Sequence, residues 1–247
     1  LGFQKSFPSF CGGVNLNTWF NLVRRADGVA AISAFSANYF RERFHVDENR
    51  LDIVYAGVDT QHFRPKECLR TNKVIYVGRL IPHKGLEILI QAMPDGVPLE
   101  IYGRAYDNAY LQRLKGLASA KIVTFCHDAD DEVICNAYAS ARLSVVPSLS
   151  LSRRPELFGL VAAEAMACET PVIVADTGSL SEVVVDGETG FVVPAGDVDA
   201  LSLKIIALLD DRQLAEDMGR CGRKRVLEHF TWDRVATRHI DLYRRSL

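Results

Sequence analysis

The chain contains 247 residues, of which 48% are hydrophobic and 24% are charged. This composition is typical of a globular protein with a sizeable core and excludes disordered, fibrous and disulfide-stapled classes. The 29 Lys and Arg residues against 31 Asp and Glu give a formal charge of −2, so no overall positive field exists to hold a polyanion. We therefore expect no nucleic-acid partner.

Two further features of the sequence concern location and completeness. No apolar run approaches the roughly 20 residues that span a bilayer, although peripheral membrane contact stays open. The six cysteines show neither C-x-x-C nor the paired spacing of a zinc site, which predicts reduced thiols in a cytoplasmic protein. Because the chain begins at Leu1 rather than Met and its length lies between one and two domains, we expect that an N-terminal half is missing.

The first 64 residues predict only the last units of an α/β sheet. The predicted elements are a helix at 18–26, a strand at 29–32, a helix at 36–44 and a strand at 52–55. The polar segment that begins with Pro65 and ends at residue 72 is the predicted linker.

From residue 73 onward, short β-branched runs alternate with longer helical patterns. The predicted strands are 74–77, 99–102, 122–125, 143–146, 172–175 and 191–193, and the predicted helices are 86–93, 110–118, 131–140, 160–168 and 199–209. A last helix is expected after Thr231, which can cap it. The alternation predicts an α/β fold with a Rossmann-like, doubly wound parallel sheet, whose ligands bind at the carboxyl ends of the strands.

A basic loop follows the predicted strand at 74–77. The strand ends in Gly78, and the two cations Arg79 and Lys84 precede the next helix. Such a loop favours an anionic ligand. The alternative is an ordinary turn with solvated charges, which are common at protein surfaces.

Two glutamates flank the start of the predicted helix at 160–168. Glu164 lies among small apolar residues, where a carboxylate is costly unless a polar group meets it. If the helix begins near Phe158, Glu156 and Glu164 are about 80° apart around its axis and about 12 Å apart along it. They could then contact different parts of one elongated ligand.

The amides at 158–161 are free at the predicted helix start and form a seat for a phosphate. With Arg79 and Lys84 nearby, the pattern predicts a diphosphate held by cations and amides. The two carboxylates would accept hydrogen bonds from hydroxyl-rich groups at its ends. A nucleotide diphospho-sugar has this form.

Five motifs carry a resemblance to a known family. They are Gly-Arg-Leu-x-x-x-Lys-Gly at 78–85, Glu-x-Phe-Gly-Leu-x-x-x-Glu-Ala-x-Ala at 156–167, Thr-Pro-Val-Ile at 170–173, Gly-x-x-x-Glu-Val-Val at 178–184 and Asp-Gly-x-Thr-Gly-Phe-Val-Val at 186–193. They resemble the GT-B retaining glycosyltransferases of the glycogen-synthase and sucrose-synthase type, the glycosyl transferases group 1. Upstream, Ala-Ile-Ser at 31–33 and Gly-Val-Asp at 57–59 resemble the end of that family's N-terminal domain.

The resemblance implies a role for each matching residue. Arg79 and Lys84 would bind the donor diphosphate and neutralise the leaving group, Glu156 would contact the transferred sugar, and Glu164 would hold the ribose hydroxyls. The implied catalytic residues are Arg79, Lys84 and Glu156, and the implied donor-binding residues are Gly78, Phe158, Gly159, Leu160, Val161 and Glu164. No metal is expected, because two side-chain cations and a helix start supply the positive charge.

The same resemblance implies an organisation and an activity. Residues 1–64 would be the remnant of an acceptor-side Rossmann-like domain, 65–229 the C-terminal nucleotide-sugar-binding domain, and 230–247 a closing helix that packs toward the N-terminal domain. The implied reaction moves a sugar from a UDP- or GDP-sugar to a hydroxyl of a carbohydrate, lipid or natural product, with retention of configuration. The donor is a substrate, so no cofactor is expected.

Three other interpretations stay open. The chain could bind a nucleotide sugar without catalysis, since the acceptor half lies mostly outside it. A glycoside hydrolase with Glu156 and Glu164 as acid and base is disfavoured by the cations beside them. A dinucleotide-dependent epimerase is disfavoured because no Gly-x-Gly-x-x-Gly follows an early strand.

Several positions depart from the family pattern. Glu169 and His127 stand where the family usually has Gly: Glu169 would place a third carboxylate near the site, and His127 would stack near the base or lie exposed. A loop longer than usual contains Arg153 and Arg154, which are solvated or suited to a phosphate-bearing acceptor. The glycine pair at 12–13 resembles a donor-side pair of the family but precedes the wrong elements, so it is assigned no role.

Overall fold

The structure, a computed structural model, describes residues 16–149 and 155–246. Its helices are α1 (Leu16–Arg25), α2 (Ala34–Phe44), α3 (Leu86–Ala92), α4 (Asn108–Leu117), α5 (Asp131–Ser140), α6 (Leu160–Ala167), α7 (Leu180–Val183), α8 (Val198–Asp210), α9 (Arg212–His229) and α10 (Trp232–Ser246). Its strands are β1 (Val29–Ala31), β2 (Leu51–Ile53), β3 (Val74–Val77), β4 (Leu99–Tyr102), β5 (Val123–Cys126), β6 (Leu143–Val146), β7 (Val172–Ala175) and β8 (Gly190–Val193).

Six strands form one parallel sheet in the order β5-β4-β3-β6-β7-β8. Val74 pairs with Leu99 on one side and with Leu143 on the other, so the strand order reverses between β3 and β6. Ile75 and Tyr76, neighbours on β3, belong to two different apolar cores, one on each face of the sheet. The predicted doubly wound, Rossmann-like α/β fold is thus confirmed, and ligands in such sheets bind at the carboxyl edge beside the switch point.

β1 and β2 form a separate parallel pair. With α1 and α2 they make up what we call the two-stranded unit, residues 16–53, which has a small apolar core of its own around Phe44. α10 packs on this unit, because a Cβ on Gly28 would lie 2.8 Å from Leu242 Cδ1 and Arg245 forms an ion pair with Asp52. The division of the chain into domains at residues 64 and 229 stays a prediction.

The sequence pattern did not predict α9, a helix of 18 residues. Asp211 caps it, since its side chain accepts a hydrogen bond from the Leu214 amide at 2.9 Å. Gly219 and Gly222 interrupt the helical pattern of the sequence. The structure gives the reason: a Cβ on Gly219 would lie 2.1 Å from the Glu169 carbonyl oxygen, so α9 packs backbone to backbone at the end of α6.

The boundaries of the other predicted elements agree with the structure to within two residues. β5 runs one residue later than predicted. α2 begins at Ala34, two residues earlier than predicted, because the Ser33 hydroxyl accepts a hydrogen bond from the Ser36 amide at 3.0 Å and caps the helix. The predicted linker is anchored at the C-terminal ends of α5 and α6. There Arg70 donates to the Ala141 carbonyl at 3.0 Å and to the Cys168 carbonyl at 2.8 Å.

Within residues 16–149 and 155–246, no helix combines the length and the apolar character needed to cross a bilayer. In the same part of the chain, no group of three or more His, Cys, Asp or Glu side chains is arranged to hold a metal ion. The described cysteines are free thiols: Cys68, Cys126, Cys135, Cys168 and Cys221.

Candidate functional site

The two loops that follow β3 and β6 are joined at the carboxyl edge of the sheet. A short 3-10 turn, Pro82–Lys84, ends at Gly85, whose φ of 71° favours glycine. A Cβ on Gly85 would lie 1.9 Å from the Pro147 carbonyl oxygen, and the Leu149 amide donates to the His83 carbonyl at 2.8 Å. The loop with the two cations is therefore fixed against the loop that leads to the glutamate motif.

Lys84 and Glu156 form an ion pair between these loops. Lys84 Nζ lies 2.5 Å from Glu156 Oε2, and the two side chains are only 14% and 17% exposed. The Ser148 hydroxyl donates to the same carboxylate oxygen at 3.1 Å. Arg79 is exposed in the same loop as Lys84, and the Tyr76 hydroxyl donates to its carbonyl at 3.0 Å. The structure thus brings together the basic loop and the first glutamate of the motif.

The main chain of Glu156 is held by the loop between β7 and α7. The Ser179 amide and hydroxyl both donate to the Glu156 carbonyl, at 3.0 and 3.2 Å. Gly178 has a φ of 60°, and a Cβ there would lie 2.0 Å from the same carbonyl oxygen. The motif at 178–184 has no role that could be predicted from the sequence. Its first glycine and the serine that follows set the position of Glu156.

α6 begins at Leu160, as predicted for the helix at 160–168, and not near Phe158, the start on which the predicted angle depended. Gly159 is its N-cap, with a φ of 79° and no side chain to hydrogen-bond the first amides. Glu156 therefore lies in the loop before the helix, and the predicted angle between Glu156 and Glu164 around one axis is wrong. The predicted phosphate seat is still possible, because the Leu160 and Val161 amides lie in a first turn that no side chain caps and can bind an anion.

The side chain of Phe158 belongs to the core and is only 4% exposed. Its ring centroid lies 5.9 Å from that of Tyr55 and 5.4 Å from that of Phe230. The aromatic ring thus joins the segment before α6 to the chain that follows β2. A ligand at the carboxyl edge can meet Phe158 only through its main chain, which is the role that the family resemblance implies.

Glu164 lies on α6 between Ala163 and Ala165, both fully buried. Burial, and then the nearby Asp131 carboxylate, raise the pKa of Glu164 to about 7. Such a carboxyl can accept hydrogen bonds as an anion or donate one as an acid near neutral pH, which suits it to neighbouring hydroxyls. The effect of Asp131 places the Glu164 carboxyl near the first residue of α5.

The carboxyl ends of β3 and β4 approach each other closely through glycine. A Cβ on Gly103, whose φ is 152°, would lie 1.9 Å from the Gly78 carbonyl oxygen. His127, after β5, places Nδ1 3.2 Å from the Gly103 carbonyl, and its ring stacks on Phe125 with an interplanar angle of 16°. Because a carbonyl only accepts, Nδ1 carries the proton in this contact. His127 is therefore held at the sheet edge rather than freely exposed.

Glu169 does not lie near the candidate site, and this expectation was wrong. It follows the last turn of α6, at the opposite end of the helix from Gly159, with a φ of 58° that glycine would adopt more readily. There it lines a surface cavity of about 240 Å³ with Arg70 and Arg212. The loop arginines at 153–154 and the glycine pair at 12–13 lie outside the described residues.

The chain matches known proteins along most of its length. The family model of the glycosyl transferases group 1 matches residues 58–225. An MMP alpha-(1->4)-mannosyltransferase of Mycolicibacterium hassiacum is 31% identical over 92% of this chain and 56% of that protein. A GDP-mannose-dependent alpha-(1-6)-phosphatidylinositol monomannoside mannosyltransferase of Mycolicibacterium smegmatis is 30% identical over 89% of this chain and 64% of that protein. The chain thus spans only part of the length of these curated relatives.

Solved structures share the fold. Sucrose-phosphate synthase from Thermosynechococcus elongatus has a TM-score of 0.81 and 31% identity, over 93% of this chain and 60% of that one. Anabaena Alr3699/HepE, solved in complex with UDP, has a TM-score of 0.84 and 24% identity, over 95% of this chain and 68% of that one. From the family match and the shared architecture, the chain belongs to the glycosyl transferases group 1 and has a GT-B fold.

Proposed function

We propose that the chain is the donor-binding part of a retaining glycosyltransferase that moves a sugar from a nucleotide diphosphate sugar to a hydroxyl acceptor. The observation that carries this proposal is the contact of Lys84 Nζ with Glu156 Oε2, 2.5 Å apart at the switch point of a parallel sheet. A cation that can bind a diphosphate lies beside a carboxylate that can accept hydrogen bonds from sugar hydroxyls. A hydrolase that uses two carboxylates needs no such cation.

Positive charge from three sources would hold the donor diphosphate. The Lys84 ammonium has three N–H donors, of which Glu156 takes one and leaves two. Arg79, exposed in the same loop, has the planar fork that pairs with two phosphate oxygens at once. The uncapped first turn of α6 adds main-chain amides. These groups supply the charge that a metal ion supplies elsewhere, so we propose a metal-independent reaction.

The same groups would favour the transition state over the bound donor. As the bond from the anomeric carbon to the diphosphate oxygen breaks, its electron pair moves to that oxygen, and the negative charge grows next to Lys84 and Arg79. Interactions that strengthen at this point lower the barrier. The departing phosphate oxygen takes the proton of the acceptor hydroxyl, whose oxygen bonds to the same face of the sugar. Glu156 holds the sugar hydroxyls throughout.

The relatives' names and the sequence support one class of donor and one class of acceptor. One relative is GDP-mannose-dependent and another, of Rhodococcus erythropolis, is a D-inositol 3-phosphate glycosyltransferase. We propose a UDP- or GDP-sugar as donor and a hydroxyl of a carbohydrate, lipid or natural product as acceptor. A cytoplasmic location with peripheral membrane contact is part of the same proposal, since relatives named for phosphatidylinositol glycolipids work on lipid substrates.

The second candidate is a nucleotide-sugar-binding module without transferase activity. One observation favours it: the chain spans 56% of the Mycolicibacterium hassiacum relative. The acceptor-side domain that the family resemblance implies lies mostly outside these residues. The donor-side residues described above would still bind a nucleotide diphosphate. In that case catalysis would require a second chain or segment that supplies the acceptor side.

Calorimetry and product analysis distinguish these candidates. The chain is titrated with UDP, GDP and ADP, and then incubated with UDP-glucose or GDP-mannose and an inositol phosphate or phosphatidylinositol acceptor. A glycosylated product with the donor's anomeric configuration, formed equally in EDTA, supports the retaining, metal-independent reaction. Binding heat without product supports the module. Absence of both binding and product contradicts the proposal.

A further inference from the structure

The carboxylate of Glu182, on α7, caps a helix of the two-stranded unit. Its Oε2 accepts a hydrogen bond from the Ala34 amide at 2.6 Å and its Oε1 from the Phe35 amide at 2.8 Å. The Ser33 hydroxyl accepts from the Ser36 amide, so the first three amides of α2 all have acceptors. Because helix N-terminal amides carry partial positive charge, an ionised carboxylate is a strong partner for them.

Two more side chains hold α7 in place. Arg225 donates from Nη2 to the Glu182 carbonyl at 2.7 Å and from Nε to the Val183 carbonyl at 2.9 Å. Tyr55 lies beside the carboxylate: burial, and then the charge of Glu182, raise the pKa of its phenol. α7 has only four residues, so these outside contacts fix its orientation more than its own hydrogen bonds do.

The opposite end of α7 touches the candidate site. Ser179, directly before the helix, donates to the Glu156 carbonyl, and Gly178 packs against the same oxygen. Leu180, the first residue of α7, lies against the N-cap of α6, since a Cβ on Gly159 would lie 2.4 Å from Leu180 Cδ2. One short helix therefore contacts the main chain of Glu156, the start of α6 and the start of α2.

We propose that Glu182 is a positioning residue that couples the two-stranded unit to Glu156. While Glu182 holds the N-terminus of α2, α7 and the loop before it are fixed, and Glu156 keeps its place. The kinetic consequence rests on the proposed function, whereas the coupling itself does not. A displacement of about 1 Å in a substrate-positioning group can slow a reaction up to a hundredfold.

The two basic side chains that would bind the diphosphate, Arg79 and Lys84, should be less affected than Glu156, the carboxylate that would contact the sugar. Lys84 lies in a loop anchored by the close approach of Gly85 to Pro147, which does not involve α7. Loss of the Glu182 contact should therefore lower kcat about ten- to a hundredfold and change the Kd for the donor no more than about threefold. A residue with only a structural role would not split the two constants in this way.

Amide hydrogen exchange of the full chain, measured by NMR, tests the coupling. In the Glu182→Gln variant an NH₂ group replaces one of the two acceptor oxygens and the negative charge is lost, so at least one of the Ala34 and Phe35 amides should exchange at least about tenfold faster. Addition of UDP-glucose or GDP-mannose should slow exchange at these two amides in the unsubstituted chain but not in the variant. Unchanged exchange at both amides in the variant, or an equal slowing of exchange by the bound nucleotide sugar in both proteins, overturns the coupling.

Two control variants separate positioning from stability and charge. Ser33→Ala removes the other cap of α2 without touching Glu182, so it should lower Tm and leave kcat within about twofold. Glu188→Gln removes the charge of an exposed carboxylate and should alter neither Tm nor kcat. If Ser33→Ala lowers kcat as much as Glu182→Gln does, the positioning role is wrong. If the unsubstituted chain neither binds a nucleotide sugar nor transfers its sugar, the proposed function is wrong. The exchange rates of Ala34 and Phe35 without ligand then still test the contact between Glu182 and α2.

Discussion

Lys84 Nζ lies 2.5 Å from Glu156 Oε2, although 72 residues separate them in the sequence. The sheet explains this contact: β3 and β6 are neighbours at the switch point, so the loops that follow them meet at the carboxyl edge. Both side chains are largely buried. Removal of either partner would leave an unpaired charge in a poorly solvated position, which costs stability as well as ligand contacts.

The Lys84→Met variant should transfer sugar about ten- to a hundredfold more slowly, because it would lose the charge-assisted contact that we propose with the diphosphate. It should also unfold more easily, by about 1 to 3 kcal/mol, since Glu156 is left unpaired. Initial rates and denaturant titration measure the two effects. The matched control is Lys66→Met, which breaks an ion pair of the same 2.5 Å length with Glu132, a side chain that is 63% exposed. Wild-type turnover in Lys84→Met would remove Lys84 from the mechanism.

The Arg79→Ala variant should lose activity without losing stability. The side chain is exposed, so its removal leaves no cavity, whereas one charge-assisted contact to the leaving group is worth about 1.5 to 3 kcal/mol. We expect transfer to slow about ten- to a hundredfold with an unchanged Tm. Arg113→Ala, which removes an arginine that is 67% exposed and paired with Glu87, is the control and should leave both unchanged. Equal rates in the two variants would exclude Arg79 from leaving-group stabilisation.

Much of the fold could be predicted because its signals are local. β6 and β7 are four-residue runs buried at every position, and such runs between helical patterns indicate a parallel sheet covered on both faces. The rule that ligands bind at the carboxyl edge was then enough to place Lys84 and Glu156 near one another. The sheet thus follows from patterns within single segments together with a topological rule.

The rest depends on contacts between segments that are distant in the sequence. Gly219 reads as a helix breaker in isolation, and only its approach to the Glu169 carbonyl explains its place in α9. The predicted helix start at residue 160 is correct, but the left-handed conformation of Gly159 before it and its packing on Leu180 have no signal within that segment. Glu182 belongs to the motif at 178–184, but its contact with α2 could not be predicted, because its partners there lie 148 and 147 residues away in the sequence.

Glu164 should make the stability of the protein depend on pH near neutrality. Burial raises its pKa from the usual 4.5 to about 7 in the folded chain. The native state therefore keeps a proton that the unfolded chain releases, so the stabilising effect is complete below about pH 4.5 and is lost as the pH rises through 7. The Glu164→Gln variant cannot show this loss. Between pH 5 and pH 8 the unsubstituted chain should lose about 2 to 3 kcal/mol more than the variant.

Denaturant titrations at both pH values measure this difference. Glu188→Gln, at an exposed carboxylate, is the control and should follow the unsubstituted chain. Parallel pH profiles for Glu164→Gln and the unsubstituted chain would show that Glu164 is ionised in the native state at all these pH values. Its proposed role would then be that of a permanent carboxylate acceptor.

Gly178→Ala should displace Glu156, because a Cβ at this position would lie 2.0 Å from the Glu156 carbonyl oxygen. Gly187→Ala is the matched control: its φ of 75° carries a similar left-handed penalty, of about 1 kcal/mol, but its Cβ would meet no atom within 4 Å. Both variants should therefore unfold at a lower temperature. Only Gly178→Ala should also slow transfer, about ten- to a hundredfold, because the Glu156 carboxylate, which we propose contacts the sugar, shifts with its main chain. Equal rates in the two variants would mean that this close approach does not position Glu156.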